Sequence, residues 1–150
     1  MKDRDTLRID QVKRTELDLL VRLNRQLDED EPHPYPLPLP ELTARMARWL
    51  DSGEYQVLLL RSGNQLIGYA VWRAEEFGTY LRHFFICRDQ RGQGWGRAAI
   101  QALCRDVFPN DRPVYIDAAV GNKAAIAFWH AVGFQDYSIN MGLKAGQTPK

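Results

Sequence analysis

Residues 84–97 read FFICRDQRGQGWGR, an apolar run that leads into a turn with three glycines. The residues that follow place apolar side chains at helical spacing up to Phe108, which predicts that a helix begins within the turn. A glycine costs about 0.5–1 kcal/mol relative to alanine where the chain is helical. Gly96 falls in the expected first turn, and its cost is offset if the bare main chain closes around a ligand. We therefore interpret the rest of the chain from this strand–turn–helix unit.

The charges beside the turn indicate an anion. The first turn of a helix favours Asp or Glu because the helix start carries partial positive charge. Here Arg91 and Arg97 flank the turn instead, and Asp106 lies near the far end of the helix. A phosphate bound by main-chain N–H groups would neutralise both the helix start and the arginines. The alternative is an ordinary tight turn with two solvated arginines.

Two common phosphate motifs are excluded. The dinucleotide fingerprint requires glycine or alanine where Arg97 stands. The chain also has no glycine-rich loop that ends in Gly-Lys-Ser/Thr, so the sequence offers no Walker-type site.

The composition is typical of one globular domain. The chain has 150 residues, of which 45% are hydrophobic and 26% charged. A chain of this length can bury a hydrophobic core without a structural metal or a disulfide. Its net charge of +1 provides no basic field for nucleic acid or an anionic membrane. Cys87 and Cys104 have neither disulfide nor metal-ligand spacing. The charged amino terminus is no signal peptide, and no apolar run approaches the ~20 residues of a membrane span. We expect a cytoplasmic protein without a metal.

The remaining patterns predict a mixed α/β chain. Before the glycine-rich turn they predict a weak strand at residues 7–11, a helix that Thr15 caps, a stiff proline-rich loop over residues 28–40, a helix over residues 41–50, and strands over residues 55–61, 65–74 and 80–87. After it they predict a helix over residues 94–108, a strand over 113–120, a helix over 122–132 and a strand over 134–143. This order is typical of an α/β domain.

Two motifs resemble a known family. Residues 91–96, RGQGWG, match the Gln/Arg-x-x-Gly-x-Gly/Ala signature of the Gcn5-related N-acetyltransferases (GNAT). Residues 122–134, NKAAIAFWHAVGF, resemble that family's second conserved block of Asn, Ala, an aromatic residue and Gly-Phe. The resemblance covers residues 55–143 well. It implies a single-domain GNAT-like α/β fold over residues 1–150, with a mixed, mostly antiparallel sheet, splayed central strands and flanking helices.

The resemblance also implies acetyl-CoA as cosubstrate. Main-chain amides of the turn would hold its pyrophosphate, and the preceding strand would pair with the pantetheine arm. The strands that hold Ile86 and Ile116 would splay to admit the thioester. Asn122 would contact the pantetheine, cap the last helix, or do both. The expected coenzyme-binding residues are Phe85, Ile86, Cys87, Arg91, Gly92, Gln93, Gly94, Trp95, Gly96, Arg97, Asn122, Phe128 and Trp129.

The implied reaction is transfer of an acetyl group to a primary amine. Direct attack is favoured because no Ser/His/Asp or Cys/His constellation is evident. In the family a main-chain N–H polarises the carbonyl, which here would come from Ile86 or Phe85. The family's carboxylate base is missing from residues 80–86, and His83 stands at about its position with a suitable ordinary pKa of ~6.5. His83 could equally be structural, and Glu75 and Glu76 are the alternative bases.

The family's general acid is also replaced. Its usual tyrosine aligns with Trp129, whose indole N–H is no practical proton donor, so Trp129 is expected to pack. Tyr137 or Tyr80 could substitute, or the thiolate could leave unaided. The catalytic residues expected are therefore His83, Glu76 and Tyr137. The alternative function is a non-catalytic acyl-CoA-binding protein of the same fold.

The acceptor is expected to be a small-molecule amine. Residues 28–31, DEDE, stand near His33 and Tyr35, where the family usually builds one wall of the acceptor site. The acids could attract a cationic amine or form a solvated run. No nucleic-acid or membrane partner is expected. The family is often a homodimer, although no patch in this sequence requires one.

Overall fold

Within the part of the chain that the structure describes, five strands form one mixed sheet, in the order in which they occur along the chain. The computed structural model describes residues 6–31, 33 and 35–150. The strands are β1 (Leu7–Gln11), β2 (Gln56–Ser62), β3 (Gln65–Glu75), β4 (Gly78–Ile86) and β5 (Val114–Tyr115). Neighbours from β1 to β4 are antiparallel, and β5 is parallel to β4. The predicted mixed, mostly antiparallel sheet is confirmed.

The described residues also form four α-helices: α1 (Leu17–Asp30), α2 (Leu39–Ser52), α3 (Trp95–Asp106) and α4 (Lys123–Ala131). The predicted loop over residues 28–40 is too long at both ends, since α1 continues through Asp30 and α2 begins at Leu39. Pro40 lies in the first turn of α2, where a proline costs little because its missing N–H would have no helical acceptor. Pro32 and Pro34 of this loop lie outside the described residues.

The strand alternation separates two apolar layers. On one face of the sheet, Leu20 of α1 and Met46 and Trp49 of α2 share a buried cluster with Tyr69 and Phe85. On the other face, α3 contributes buried side chains to a second cluster, whose members are Leu60, Ile67, Trp95 and Ala99, with Phe84 and Ile86 packed against it. The end of β4 thus packs into both layers, through Phe85 on one face and Phe84 and Ile86 on the other, and the start of α3 packs into the second layer through Trp95.

The carboxyl-terminal expectations are only partly confirmed. The helix predicted over residues 122–132 is present as α4, but β5 covers two residues of the predicted 113–120, and residues 134–143 form no strand. Apolar residues alternate there, yet Tyr137, Ile139 and Met141 are 70–80% exposed. Alternation alone does not produce a strand, because a strand also needs hydrogen bonds to a partner strand.

The chain's internal contacts divide it into two compact units, Met1–Asp117 and Ala118–Lys150. The first unit holds the whole sheet and α1 to α3, and the second holds α4. None of the helices in the described ranges is long and apolar enough to cross a membrane.

Candidate active site

The glycine-rich turn connects β4 to α3 in the way that the sequence indicates. Gly92 (φ 72°) and Gly94 (φ 84°) adopt left-handed conformations that disfavour residues with a Cβ. The first main-chain bond of α3 runs from Ala98 N–H to Gly94 C=O at 3.1 Å. The N–H groups of Trp95 and Gly96 therefore precede the helical ladder. The first turn contains no acid and no side-chain cap, so these donors suit an anion.

The turn also has room for a ligand. A Cβ built at Gly92 would meet no atom within 4 Å. Trp95, by contrast, is 1% exposed and packs in the core layer of α3. Because its side chain is buried, Trp95 can offer a ligand only its main-chain groups, and its indole anchors the start of α3 in the core.

Two arginines brace the turn rather than extend into the open space. Arg91 donates from Nε to the Ile86 C=O at 2.8 Å and from Nη2 to Asp30 at 2.6 Å. Arg88 Nη2 donates to Asp30 and Glu29, each at 2.9 Å. Burial opposes ionisation of Asp30, but the hydrogen bonds from both arginines outweigh it and lower its pKa. Arg91, expected beside a phosphate, here ties the turn to the end of α1.

The sheet opens beside β4, as expected for splayed strands. Pairing between β4 and β5 covers only Thr79–Val114 and Tyr80–Tyr115, and β4 continues to Ile86. Ile116 follows the last paired residue of β5 and belongs to no strand. The second half of β4 therefore has an edge that β5 does not cover.

The hydrogen bonds between β4 and β3 show which main-chain groups of β4 face that edge. Cys87 N–H donates to the Ile67 C=O of β3 at 2.8 Å, and the Phe85 carbonyl lies against Gly68 of β3. Because the main-chain groups of successive strand residues point to opposite sides, Ile86 directs its N–H and C=O to the open edge. The hydrogen bond that its C=O accepts from Arg91 agrees with this orientation. Phe85 and Cys87, expected to pair with pantetheine, instead point their main chain at β3. The main chain of Phe84 also points to the open edge, like that of Ile86. The sequence does not predict this, because it does not give the register between β3 and β4.

A β-bulge places two polar residues on the α1/α2 face of β4. The register pairs Val71 with His83 but Trp72 with Leu81, so Arg82 has no partner on β3. A bulge of this kind turns consecutive side chains toward the same face. His83 and Arg82 both contact the Trp49 ring, at 5.6 Å between ring centroids and 5.0 Å from the guanidinium carbon.

His83 is held as a neutral ring. Its Nδ1 lies 3.0 Å from the Tyr69 hydroxyl, and Tyr69 is fully buried with its pKa raised mainly by that burial. Burial, followed by the charges of Arg45 and Arg82, lowers the pKa of His83 to about 3. His83 was a candidate base because the ordinary pKa of histidine is suitable, and the folded protein does not retain that pKa.

The other catalytic candidates lie elsewhere. Glu76 is in the turn between β3 and β4, about 30 Å along the strand from Ile86 at ~3.3 Å per residue. Tyr80 donates to Asp117 at 2.8 Å, and burial together with this bond raises its pKa, which weakens it as a proton donor. Tyr137 belongs to the second unit, where its side chain is 76% exposed.

In the second unit, Asn122 caps α4 and Trp129 packs. Asn122 Oδ1 accepts from the Ala125 N–H at 3.1 Å, so the capping role is confirmed. The Trp129 ring lies 5.0 Å from that of Phe128 and 4.9 Å from that of Phe134. Contact of Asn122, Phe128 and Trp129 with the coenzyme stays a prediction.

Asn122 variants can separate capping from ligand contact. Asn122→Asp is expected to keep the cap, because Asp is an equally good acceptor, whereas Asn122→Ala should lose about 1 kcal/mol of stability. If the amide also contacts coenzyme A, both variants weaken coenzyme binding. Urea denaturation and calorimetry measure the two effects. Wild-type affinity in a stable Asn122→Asp variant would contradict the ligand contact.

The chain matches the model of the acetyltransferase (GNAT) family over residues 20–134. The match covers most of the chain, from within α1 to the residue after Gly133, and includes the glycine-rich turn and the Asn122 block. The protein therefore belongs to the acetyltransferase (GNAT) family.

Solved structures share the fold at low sequence identity. A possible acetyltransferase from Clostridium difficile 630 gives a TM-score of 0.71 at 14% identity, over 95% of this chain and 99% of that chain. The aminoglycoside N-acetyltransferase AAC(6')-Iy, in complex with CoA, gives 0.71 at 18% identity, over 94% and 95%. A predicted acetyltransferase from Clostridium acetobutylicum, crystallised with acetyl-CoA, gives 0.69 at 18%, over 92% and 96%. No curated protein sequence is significantly similar to the chain.

Proposed function

We propose that this protein is an acetyl-CoA-dependent N-acetyltransferase that acts on the primary amine of a small molecule. The observation that carries the proposal is the glycine-rich start of α3 beside the uncovered edge of β4. Membership of the acetyltransferase family supports group transfer, and the coenzyme in the AAC(6')-Iy complex supports coenzyme A as the donor's carrier.

The coenzyme would bind through main-chain groups. Its pyrophosphate would accept hydrogen bonds from the N–H groups between Gly92 and Arg97, where the open space at Gly92 and the absence of first-turn acids favour an anion. The pantetheine arm would then run along β4 beside Ile86. The site needs no metal for this binding, because helix-terminal donors supply the positive field.

The chemistry is direct acyl transfer. The amine nitrogen attacks the thioester carbonyl carbon, a C–N bond forms, and the C–S bond breaks with its electron pair leaving on sulfur as the coenzyme A thiolate. The nitrogen gives up its proton to water. The Ile86 N–H, which faces the open edge, would stabilise the negative charge that develops on the carbonyl oxygen. Phe85, the other candidate for this role, directs its main chain to β3.

His83 is not expected to titrate in the reaction near neutral pH. Because its pKa is lowered to about 3, it stays neutral both above and below pH 6.5, and log(kcat/KM) should rise with a slope of one between about pH 6 and 8.5 as the amine deprotonates. A base with a pKa of 6–7 would steepen the slope to two below that pKa. His83→Gln, which keeps an acceptor for Tyr69, should preserve the shape of the profile.

The pH dependence is measured with one acceptor, for wild type and His83→Gln. A second ionisation near pH 6–7 that is present in wild type and lost in the variant would restore His83 as the base. Parallel profiles support a reaction that uses the free amine directly.

The proposed function is tested by release of free thiol from acetyl-CoA. A panel of primary amines should accelerate thiol release, and mass spectrometry should show the acetylated amine. Binding of acetyl-CoA by calorimetry without amine-dependent thiol release would favour the alternative, a non-catalytic acyl-CoA-binding protein. Failure to bind coenzyme A would contradict both.

A further inference from the structure

A cationic patch lies beside His83 on the α1/α2 face of the sheet. The guanidinium carbons of Arg45 and Arg82 lie 4.8 Å and 5.0 Å from the centroid of the Trp49 ring. Arg82 also lies 5.2 Å from the Tyr55 ring and donates from Nη1 to the Tyr55 hydroxyl at 3.0 Å. Two like charges are thus fixed on one aromatic ring, although their mutual repulsion disfavours this arrangement.

Arg82 is the member of the patch that a ligand can reach. Its side chain is exposed, and the bulge in β4 directs it to the face that carries His83. Within residues 6–31, 33 and 35–150, no carboxylate forms an ion pair with Arg82, and its hydrogen bond to Tyr55 uses one nitrogen of the guanidinium. The remaining N–H groups of the fork match the two oxygens of a carboxylate.

The acid nearest the patch acts on Arg45, and its charge offsets part of the Arg45 charge. Asp28 accepts from Asn24 Nδ2 at 3.3 Å, and Asn24 in turn accepts from Arg45 Nη2 at 3.0 Å. Burial raises the pKa of Asp28 despite the nearby arginines. Arg73, which also lies on Tyr55, pairs with acidic neighbours of its own, Glu54 and Glu75. Arg82 therefore keeps a positive charge that no ion pair within the described residues neutralises.

These contacts bear on the two alternatives for residues 28–31. The acids could attract a cationic amine or form a solvated run, but Glu29 and Asp30 pair with Arg88 or Arg91 at the glycine-rich turn. Asp28 faces the Asn24–Arg45 pair. Two of the four acids thus hold protein arginines in place, and the unpaired charge beside His83 is that of Arg82.

We propose that the acceptor amine carries a carboxylate, as an amino acid does, and that Arg82 binds this carboxylate beside the Trp49 ring. The proposal rests on the proposed function and specifies its acceptor. A fixed cation also disfavours protonation of an amine bound nearby. The same patch would therefore hold the acceptor and keep more of its amine in the neutral, nucleophilic form, at a site where β4 offers no carboxylate base.

The test compares acceptors that differ in the carboxylate. Each set contains a free amino compound, its decarboxylated amine and its amide: phenylalanine, lysine and 6-aminohexanoate are suitable parents because the distance between amine and carboxylate differs among them. For an α-amine, the decarboxylated compound is more basic and the amide less basic than the parent, and for the distant amine of 6-aminohexanoate the three compounds differ little in basicity. Basicity alone therefore cannot produce a large preference for the parent over both derivatives. Thiol release from acetyl-CoA gives kcat/KM for every compound.

At least one parent should react about tenfold to a hundredfold better than both its derivatives, the range for a hydrogen-bonded charge. Arg82→Gln should remove that preference, and Arg82→Lys, which keeps the charge but not the fork, should restore part of it. Arg105→Gln on α3, where Arg105 pairs with the adjacent Asp106, makes the same charge change and should leave the preference intact. Circular dichroism checks that each variant is folded.

Three results would overturn the inference. Wild-type protein that acetylates amines with no preference for a carboxylate would contradict it and leave the proposed function standing, as would a preference that Arg82→Gln does not change. Coenzyme binding without thiol release for any acceptor would instead contradict the proposed function, and the inference would fall with it.

Discussion

Gly92→Val is expected to raise the dissociation constant of coenzyme A about tenfold to a hundredfold, which corresponds to the loss of one charge-assisted hydrogen bond. Gly92 has a φ of 72° and open space where a Cβ would stand. A β-branched residue there disturbs the backbone that presents the N–H donors and occupies the space proposed for the pyrophosphate. Calorimetry with coenzyme A measures the loss, and pantetheine, which has no pyrophosphate, should bind both proteins alike.

Gly53→Val is the matched control. Gly53 ends α2 with a φ of 70° and equally open surroundings, so its substitution strains the backbone by a similar amount, about 1–2 kcal/mol. Both variants should lose similar stability, and only Gly92→Val should lose coenzyme affinity. Equal affinities in the two variants would contradict the assignment of the pyrophosphate to this turn.

Gly68→Ala is expected to destabilise the chain by about 3 kcal/mol and to lower its melting temperature by roughly 6–12 °C. A Cβ at Gly68 would lie 1.9 Å from the Phe85 carbonyl oxygen and 3.1 Å from the Ile86 Cα. These are main-chain atoms, so β3 and β4 would have to separate at the proposed pantetheine edge. Coenzyme affinity should therefore fall together with stability.

Gly142→Ala provides the comparison for this prediction. Gly142 has no atom within 4 Å of a Cβ position and no left-handed backbone, so its substitution should leave the melting temperature nearly unchanged. A Gly68→Ala variant that melts with the wild type would show that β4 does not approach β3 this closely. The orientation of Ile86 toward the open edge would then lose one of its supports, and the hydrogen bonds of Cys87 and Ile86 would be left to carry it.

The sequence predicts the glycine-rich unit well because its signals are local. The turn's glycines, the missing first-turn acid and the helical spacing after Gly94 act within a few residues of one another. The predicted helix start at Gly94 and the observed start at Trp95 differ by one residue. Asn122 is likewise predicted correctly as a cap, since its partner is three residues away.

The strands after α3 show where local patterns fail. Residues 137–143 alternate apolar and polar side chains and residues 116–120 are mostly apolar, but neither pattern specifies a pairing partner. The structure pairs only Val114 and Tyr115 with β4. The prediction for Pro40 is wrong in the other direction. It places Pro40 in a loop because proline breaks helices, whereas the first turn of a helix accepts proline.

The chemistry of the candidate site depends on contacts distant in sequence. The low pKa of His83 arises from its burial and from Arg45 on α2 as well as Arg82, and the orientation of Arg82 follows from a register shift between β3 and β4. Neither can be obtained from the residue types around His83. The single-domain organisation and the roles of Glu76 and Tyr137 stay predictions, and the position of Glu76 does not favour catalysis.

The central claim is that main-chain donors at the start of α3 hold the pyrophosphate of coenzyme A. A crystal structure of the protein with acetyl-CoA tests it most directly. We expect pyrophosphate oxygens at about 3 Å from main-chain nitrogens between Gly92 and Arg97, with the pantetheine arm beside Ile86. A pyrophosphate held by side chains of another element, with this turn unliganded, would contradict the account.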